Sequence, residues 1–167
     1  MKLELPWLHH KKSYENLIKE WSKIENLENI SPWVLFCWNN FNEFLEKTEE
    51  LRLSDVDWFT QSYLYFLVNE NNEIVGWIDI RVNIKNSYLS ERWWHIWYWI
   101  VPKFRKKWYA TKMLEMWLIK AKNLWIHNVL ITCSKDNIWS NKVILNNWWV
   151  FERETNCWIA NRYWIEL

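Results

Sequence analysis

Apolar residues recur at helical spacing early in the chain. Tyr14, Leu17, Ile18, Trp21 and Ile24 alternate with Lys and Glu, which predicts an amphipathic helix. Ser31-Pro32 breaks it. A second helix opens near Asn39-Asn40, with Glu43 placed for a capping box and Phe41, Phe44, Leu45 and Leu51 on one side. The pattern then turns to strands. Tyr63 to Val68 is aromatic and β-branched, Asn69-Glu70-Asn71-Asn72 is a turn, and Ile74 to Ile84 is the return strand of a hairpin. Residues 94–101 form a third strand, stopped by Pro102. A basic loop leads into the clearest helical stripe, Ala110, Met113, Leu114, Trp117, Leu118, Ala121 and Leu124. Val129-Leu130-Ile131 is apolar on both faces, as expected of a parallel neighbour in a covered sheet. Asp136 is placed as N-cap of a helix running to about Asn147, and strands at about 149–154 and 159–166 close the chain. This order predicts an α/β (α+β) mixed sheet with helices on its faces.

The 167 residues fit one domain, half of them apolar and a quarter charged, so wholesale disorder is excluded. The net charge of +1 gives no global field toward nucleic acid or membrane, and neither is expected as a partner. Cys37, Cys133 and Cys157 are an odd, widely spaced set, which points to a reducing compartment rather than a disulfide framework. His9, His10, His95 and His127 show no ligand spacing, so no metal is expected. The start, MKLELPWLHHKK, lacks a signal peptide's apolar run, and no stretch is long and apolar enough to span a bilayer. A soluble, cytoplasmic protein is the expectation.

The strand–loop–helix unit carries the candidate chemistry. A loop feeding a helix N-terminus offers free N–H groups and the positive end of the helix dipole to an anion. Here it adds Lys103, Arg105, Lys106 and Lys107. On charge alone this reads equally as a solvated basic turn. The wider stretch 94–114, WHIWYWIVPKFRKKWYATKML, resembles the central motif of the GNAT superfamily of N-acetyltransferases. The family's cofactor loop is Arg/Gln-x-x-Gly-x-Gly/Ala; here it reads Arg105-Lys106-Lys107-Trp108-Tyr109-Ala110. The match to one bacterial branch requires Trp94, Trp97, Trp99 and Trp108 to stand where that branch has Gly. Ile131-Thr132-Cys133, Asp136-Asn137-Ile138-x-Ser140 and Arg162-Tyr163-Trp164-Ile165 resemble its later elements. The resemblance covers residues 62–167 well and the N-terminal third loosely.

Composition is anomalous in the same place. The chain holds 18 Trp and 1 Gly, where about 7% average usage would give roughly 12 Gly. Several Trp sit at positions that favour glycine: Trp108 in the anion-cradling turn, Trp125 past the 110–124 helix, Trp148-Trp149 past the next. Trp33 and Trp93-Trp94 are turn-like too. One account is a UGA codon that the source decodes as Gly and that has been read as Trp. Trp21 and Trp164 look like genuine Trp, while Trp7, Trp38, Trp58, Trp77 and Trp117 stay undecided. The other account is a Trp-rich protein with aromatic turns.

The resemblance implies a mixed, mostly antiparallel central sheet flanked by helices. Residues 1–167 would form a single acetyltransferase domain, with 1–60 a helical N-terminal part and 62–167 the acetyl-CoA-binding core. It implies acetyl-CoA as cosubstrate, its pyrophosphate on the amides of Arg105, Lys106, Lys107, Trp108, Tyr109 and Ala110, with Thr111 beginning the helix. The pantetheine arm would pair with the backbone from Tyr98 to Val101, and an N–H near Ile100 would polarise the thioester carbonyl. The family splays this strand from its parallel neighbour, and the thioester lies in the opening. Asn137 and Ser140 match positions that often contact the cofactor. Candidate bases are His95 and Asp79. The family's usual general acid, a Tyr four residues past Ser140, is Ile144 here; Tyr98 or Tyr109 are the substitutes at hand. Cys133 reads as a core thiol, with no His partner near in sequence.

Three functions remain open at this level. The first is direct N-acetyl transfer to a primary amine of a small molecule or peptide. The second is a non-catalytic CoA-binding sensor of the same fold. The third takes every Trp literally, as an aromatic-surfaced protein binding sugars or single strands. The acceptor would sit between the N-terminal helices and the 84–94 loop. The family often forms homodimers.

Overall fold

The computed structural model describes residues 1–21, 23, 40–53, 61–82, 95–155 and 160–167. The expectations for Ile24, the Ser31-Pro32 break, Trp33, Cys37, Trp38, Trp58, the 84–94 loop with Trp93 and Trp94, and Cys157 lie outside these residues.

The described elements run β1 (Lys2–Glu4), a 3-10 turn (Leu8–His10), α1 (Lys11–Trp21), α2 (Phe41–Leu53), β2 (Ser62–Val68), β3 (Ile74–Arg81) and β4 (Ile96–Ile100). A second 3-10 turn (Pro102–Phe104) is followed by α3 (Tyr109–Asn123), β5 (Asn128–Ser134), α4 (Ile138–Leu145), β6 (Val150–Thr155) and β7 (Ala160–Glu166). The strands form two antiparallel sheets, β1-β2-β3-β4 and β5-β7-β6. The apolar strand around Leu130 has β7 as its antiparallel ladder partner on one edge, while its other edge meets β4 at His95 without forming a ladder.

Alternation along β2 explains the layering. Leu64, Phe66 and Val68 face one core with Tyr14 and Leu17 of α1 and Phe41 and Phe44 of α2. Tyr65 and Leu67 face the other, with Met113, Leu114, Trp117 and Ala121 of α3. The first sheet is thus buried on both faces, which is why β2 and β3 are nearly continuous in apolar residues. The hairpin turn is held by the Asn69 side chain, which accepts from the Asn71 and Glu73 amides at 2.9 Å. Gly76 is required by close approach: a Cβ there would stand 2.4 Å from the Trp99 carbonyl oxygen.

Three of the glycine-like positions have the backbone that favours glycine. Trp108, Trp125 and Trp148 have φ of 64°, 60° and 65°. At the end of α3, Ile126 N–H bonds to Ala121 C=O and Trp125 N–H to Lys122 C=O, both at 3.1 Å. That is the Schellman arrangement, with Trp125 in the left-handed slot. Trp149 differs from its neighbour and is buried in the core. Trp77 and Trp117 are also core residues.

Candidate active site

The site begins where the two sheets meet. Arg81 N–H bonds to His95 C=O and Val101 N–H to Val75 C=O, so odd-numbered residues of β4 turn their backbone groups to β3. The even-numbered ones, Ile96, Tyr98 and Ile100, turn theirs to the opposite edge. The same reading of the β5–β7 register, with Leu167 N–H on His127 C=O, turns the backbone of Leu130 and Thr132 away from β7. Two strand edges therefore face each other. They join at His95, whose N–H donates to Leu130 C=O at 3.0 Å and whose Nδ1 accepts from Leu130 N–H at 2.9 Å. Beyond that point β4 and β5 belong to separate sheets, with no ladder between them among the described residues.

This edge of β4 leads to the basic loop. Pro102 starts the 3-10 turn, and Arg105 Nε donates to Ile100 C=O at 3.1 Å, fastening the loop to the end of β4. Lys106 has φ of 61° and Trp108 of 64°, so two left-handed residues curl the backbone just before α3. Such alternation is how a chain builds an N–H concavity for anions. Tyr109, Ala110 and Thr111 form the first turn of α3, so the helix starts two residues before the expected Thr111. Lys106 lies over the Trp139 ring and Lys107 over Phe104. Lys103 is directed elsewhere: its ammonium pairs with Glu20 at 3.1 Å and Glu73 at 3.5 Å.

A polar cluster forms the α4 wall. Tyr98 reaches across from β4, and its hydroxyl lies 2.6 Å from Ser140 Oγ. Burial drives the Tyr98 pKa far upward, so the phenol keeps its proton. Asn137, not Asp136, is the N-cap of α4, its Oδ1 accepting from Ser140 N–H at 3.0 Å. Asn141, which sequence reading passed over, is the hub. It donates to the carbonyls of Ser134 and Asn137, and its Oδ1 accepts from Tyr163 and Asn161. A signal existed: Asn141 sits one helical turn past Asn137, and Asn161 and Tyr163 alternate on the paired strand. Cys133 is a buried free thiol in the same wall, its pKa pushed up by burial to about 11. Ile144 is fully buried in the core.

The other two titratable candidates lie apart from that wall. Asp79 is on the β3 face that packs toward α1 and α2, opposite Trp97 in the β4 register. It is sealed from water with Arg81, Ser62 and the Ile80 N–H alongside; burial raises its pKa against the pull of all three. His95 is buried at the junction, and loss of hydration drops its pKa to about 4. Because Leu130 N–H can only donate, Nδ1 carries the lone pair and Nε2 the proton.

Contrary to the sequence reading of histidine spacing, Glu4, His9 and His10 gather ligand atoms within 4.8 Å of one another. His10 Nδ1 accepts from Trp7 N–H at 3.1 Å, so its Nε2 bears the proton and faces Glu4 as a donor. The group ties β1 to the first turn.

Comparison with known proteins agrees with this architecture. Residues 27–145 match the acetyltransferase (GNAT) family model. The chain belongs to the GNAT acetyltransferase family. No curated protein sequence matches it. Among solved structures, the microcin C7 self-immunity acetyltransferase MccE, in complex with acetyl-CoA and AMP, is similar at 18% identity and TM-score 0.68, covering 99% of this chain and 91% of that one. RimL, a ribosomal L7/L12 alpha-N-protein acetyltransferase in complex with coenzyme A, is similar at 17% identity and TM-score 0.68, with coverage of 99% and 93%. A variant of the spermidine N-acetyltransferase SpeG from Vibrio cholerae is similar at 16% identity and TM-score 0.66, with coverage of 99% and 95%. These likenesses show the fold, a mixed α/β architecture with antiparallel sheets flanked by helices. Among the described residues, no helix is long and apolar enough to cross a membrane.

Proposed function

We propose that the chain is an acetyl-CoA-dependent N-acetyltransferase acting by direct transfer on a primary amine of a small molecule or peptide. The observation that carries the reading is the even-numbered edge of β4, which has no ladder partner among the described residues and runs straight into the left-handed loop and α3. An open strand edge suits an amide-bearing arm, and the loop suits a diphosphate. Family membership and the likeness to acetyltransferases solved with acetyl-CoA or CoA support it. Acetyl-CoA supplies an acyl group already activated as a thioester. The Ile100 N–H polarises its carbonyl. The amides of 106–111 hold the diphosphate, with Lys106 and Lys107 adding charge; the Arg105 amide, expected to join them, is donated to Pro102 C=O instead. Asn137 and Ser140 line the opposite wall; the cap engages Asn137 Oδ1, so its contact to the cofactor is assigned to Nδ2.

Asp79 is the proposed base. A carboxyl whose pKa is raised by burial is a stronger base than an exposed one, and Asp79 stands on the face toward α1 and α2, the side expected to receive the acceptor. Tyr98 is the proposed acid in place of the absent helix tyrosine. It approaches from the β4 wall, keeps its proton, and has Ser140 as a relay at 2.6 Å. Residues 1–60 supply the acceptor side and 62–167 the acetyl-CoA core of one working unit. The reduced Cys133 fits a cytoplasmic setting. The test is thiol release from acetyl-CoA across a panel of polyamines and peptide N-termini. Transfer to at least one class supports the reading, and binding without transfer to any would replace it with the sensor reading. Ile144 in the acid's usual place is the observation that favours that second reading.

A further inference from the structure

His95 is engaged by two strands through three separate groups. Its carbonyl accepts Arg81 N–H of β3 at 2.8 Å, its N–H donates to Leu130 C=O at 3.0 Å, and its Nδ1 accepts Leu130 N–H at 2.9 Å. In a continuous parallel ladder, a residue donating to Leu130 C=O would accept the next facing amide, that of Thr132, on its own carbonyl. That carbonyl is already turned to Arg81. The regular parallel register is therefore broken at His95, and among the described residues no ladder joins β4 to β5 beyond it. The twist leaves Leu130 N–H buried and facing β4, and the imidazole meets it as a backbone carbonyl would. Trp164, opposite Leu130 in the β7 register, packs edge-on to the ring at 6.3 Å and holds it in place.

We propose that His95 is a positioning residue: its imidazole pins β5 to β4 at the point where the cleft opens and thereby sets the width available to the acetyl-CoA arm. The inference rests on the reading that acetyl-CoA occupies this cleft, and it assigns the imidazole a role other than proton transfer. A base must present its lone pair to the substrate amine, and the Nδ1 lone pair here is on Leu130.

Side-chain geometry supplies a discriminating set of variants. Asn places its amide oxygen near the Nδ1 position, so His95→Asn keeps the acceptor and removes any base. Gln places its oxygen near Nε2, so His95→Gln removes the acceptor, as does His95→Ala. The account expects Leu130 amide exchange to quicken about tenfold in H95A and H95Q, the size of one lost hydrogen bond, and to stay at the parent rate in H95N. It expects KM for acetyl-CoA to rise about tenfold in H95A and H95Q with kcat much less affected, and both constants to return to within about twofold of the parent in H95N. An H95N variant as slow in kcat as H95A, with KM unchanged, would make the imidazole a base and overturn the proposal. Unchanged Leu130 exchange in H95A and H95Q would overturn it as well. If the parent protein fails to bind acetyl-CoA, the function proposed above fails, while Leu130 exchange still decides whether the imidazole pins the strands.

Discussion

Replacing Trp108, Trp125 and Trp148 together by Gly should make the protein more stable. All three hold φ between 60° and 65°, a conformation that costs an L-residue roughly 1–2 kcal/mol. Glycine returns about 0.5–1 kcal/mol of that as greater freedom of the unfolded chain. The net gain is about 0.5–1 kcal/mol at each site. Little packing is lost, because the side chains are 74%, 82% and 87% exposed. Trp108 and Trp125 sit at opposite ends of α3, about 25 Å apart by helix rise, so their gains add. The three together amount to about 1.5–3 kcal/mol, or a rise in Tm of about 3–12 °C for a chain of this size. Calorimetric melting of the parent and the triple variant is the assay. Trp149→Gly is the control: that side chain is in the core, and its loss should cost about 3–5 kcal/mol. A triple variant that melts at or below the parent would refute the reasoning, and with it the claim that these are glycine sites. UGG codons at Trp108 and Trp125 in the gene would separately refute codon reassignment.

Tyr98→Phe should lower kcat about 10²-fold or more with little change in KM for acetyl-CoA, read by steady-state thiol release; an unchanged kcat removes Tyr98 as the acid. Asp79→Asn should abolish the rising limb of the pH–rate profile. Because the folded pKa of Asp79 is raised, its stability contribution is full below the unfolded value of about 3.9 and is lost as pH climbs through the folded one, so urea melts of this variant should show a flatter decline there. His95 runs the other way: its folded pKa of about 4 lies below its unfolded 6.5, so stability is full above 6.5 and falls by about 3 kcal/mol as pH drops to 4, a slope that H95N should erase in the same melts. Gly76→Ala should destabilise by about 1–3 kcal/mol in denaturant titration, because the added methyl meets the backbone of β4.

Much of this architecture is legible in residue pattern. The stripe Met113, Leu114, Trp117, Ala121 predicts α3 because helix period and burial coincide there. The hairpin follows from two apolar runs around Asn69 to Asn72. The left-handed positions are legible because physics offers few residues for a Schellman stop, and Trp125 stands in one. Trp149 shows the limit: a turn signal does not say which of two adjacent residues swings into the core. The N-cap of α4 falls on Asn137 because Asp136 and Asn137 are equally good acceptors and only backbone geometry chooses between them. β1 escapes because three residues carry no periodicity. The separation into two sheets escapes for a deeper reason. Alternation reports which face a side chain takes, not which strand edge lacks a ladder partner, and the proposed cleft lies between two such edges. The chemistry of these edges is therefore carried by family resemblance at the loop, while the Asn141 and Tyr163 wall is visible only in three dimensions.

Acetyl-CoA is proposed to bind between β4 and β5 through the loop before α3. Calorimetric titration of acetyl-CoA into the parent chain and into Trp108→Gly tests it most directly. Saturable binding at one site per chain is expected, tighter in the glycine variant because its backbone admits closer approach of the diphosphate. Absence of binding in both proteins would contradict it.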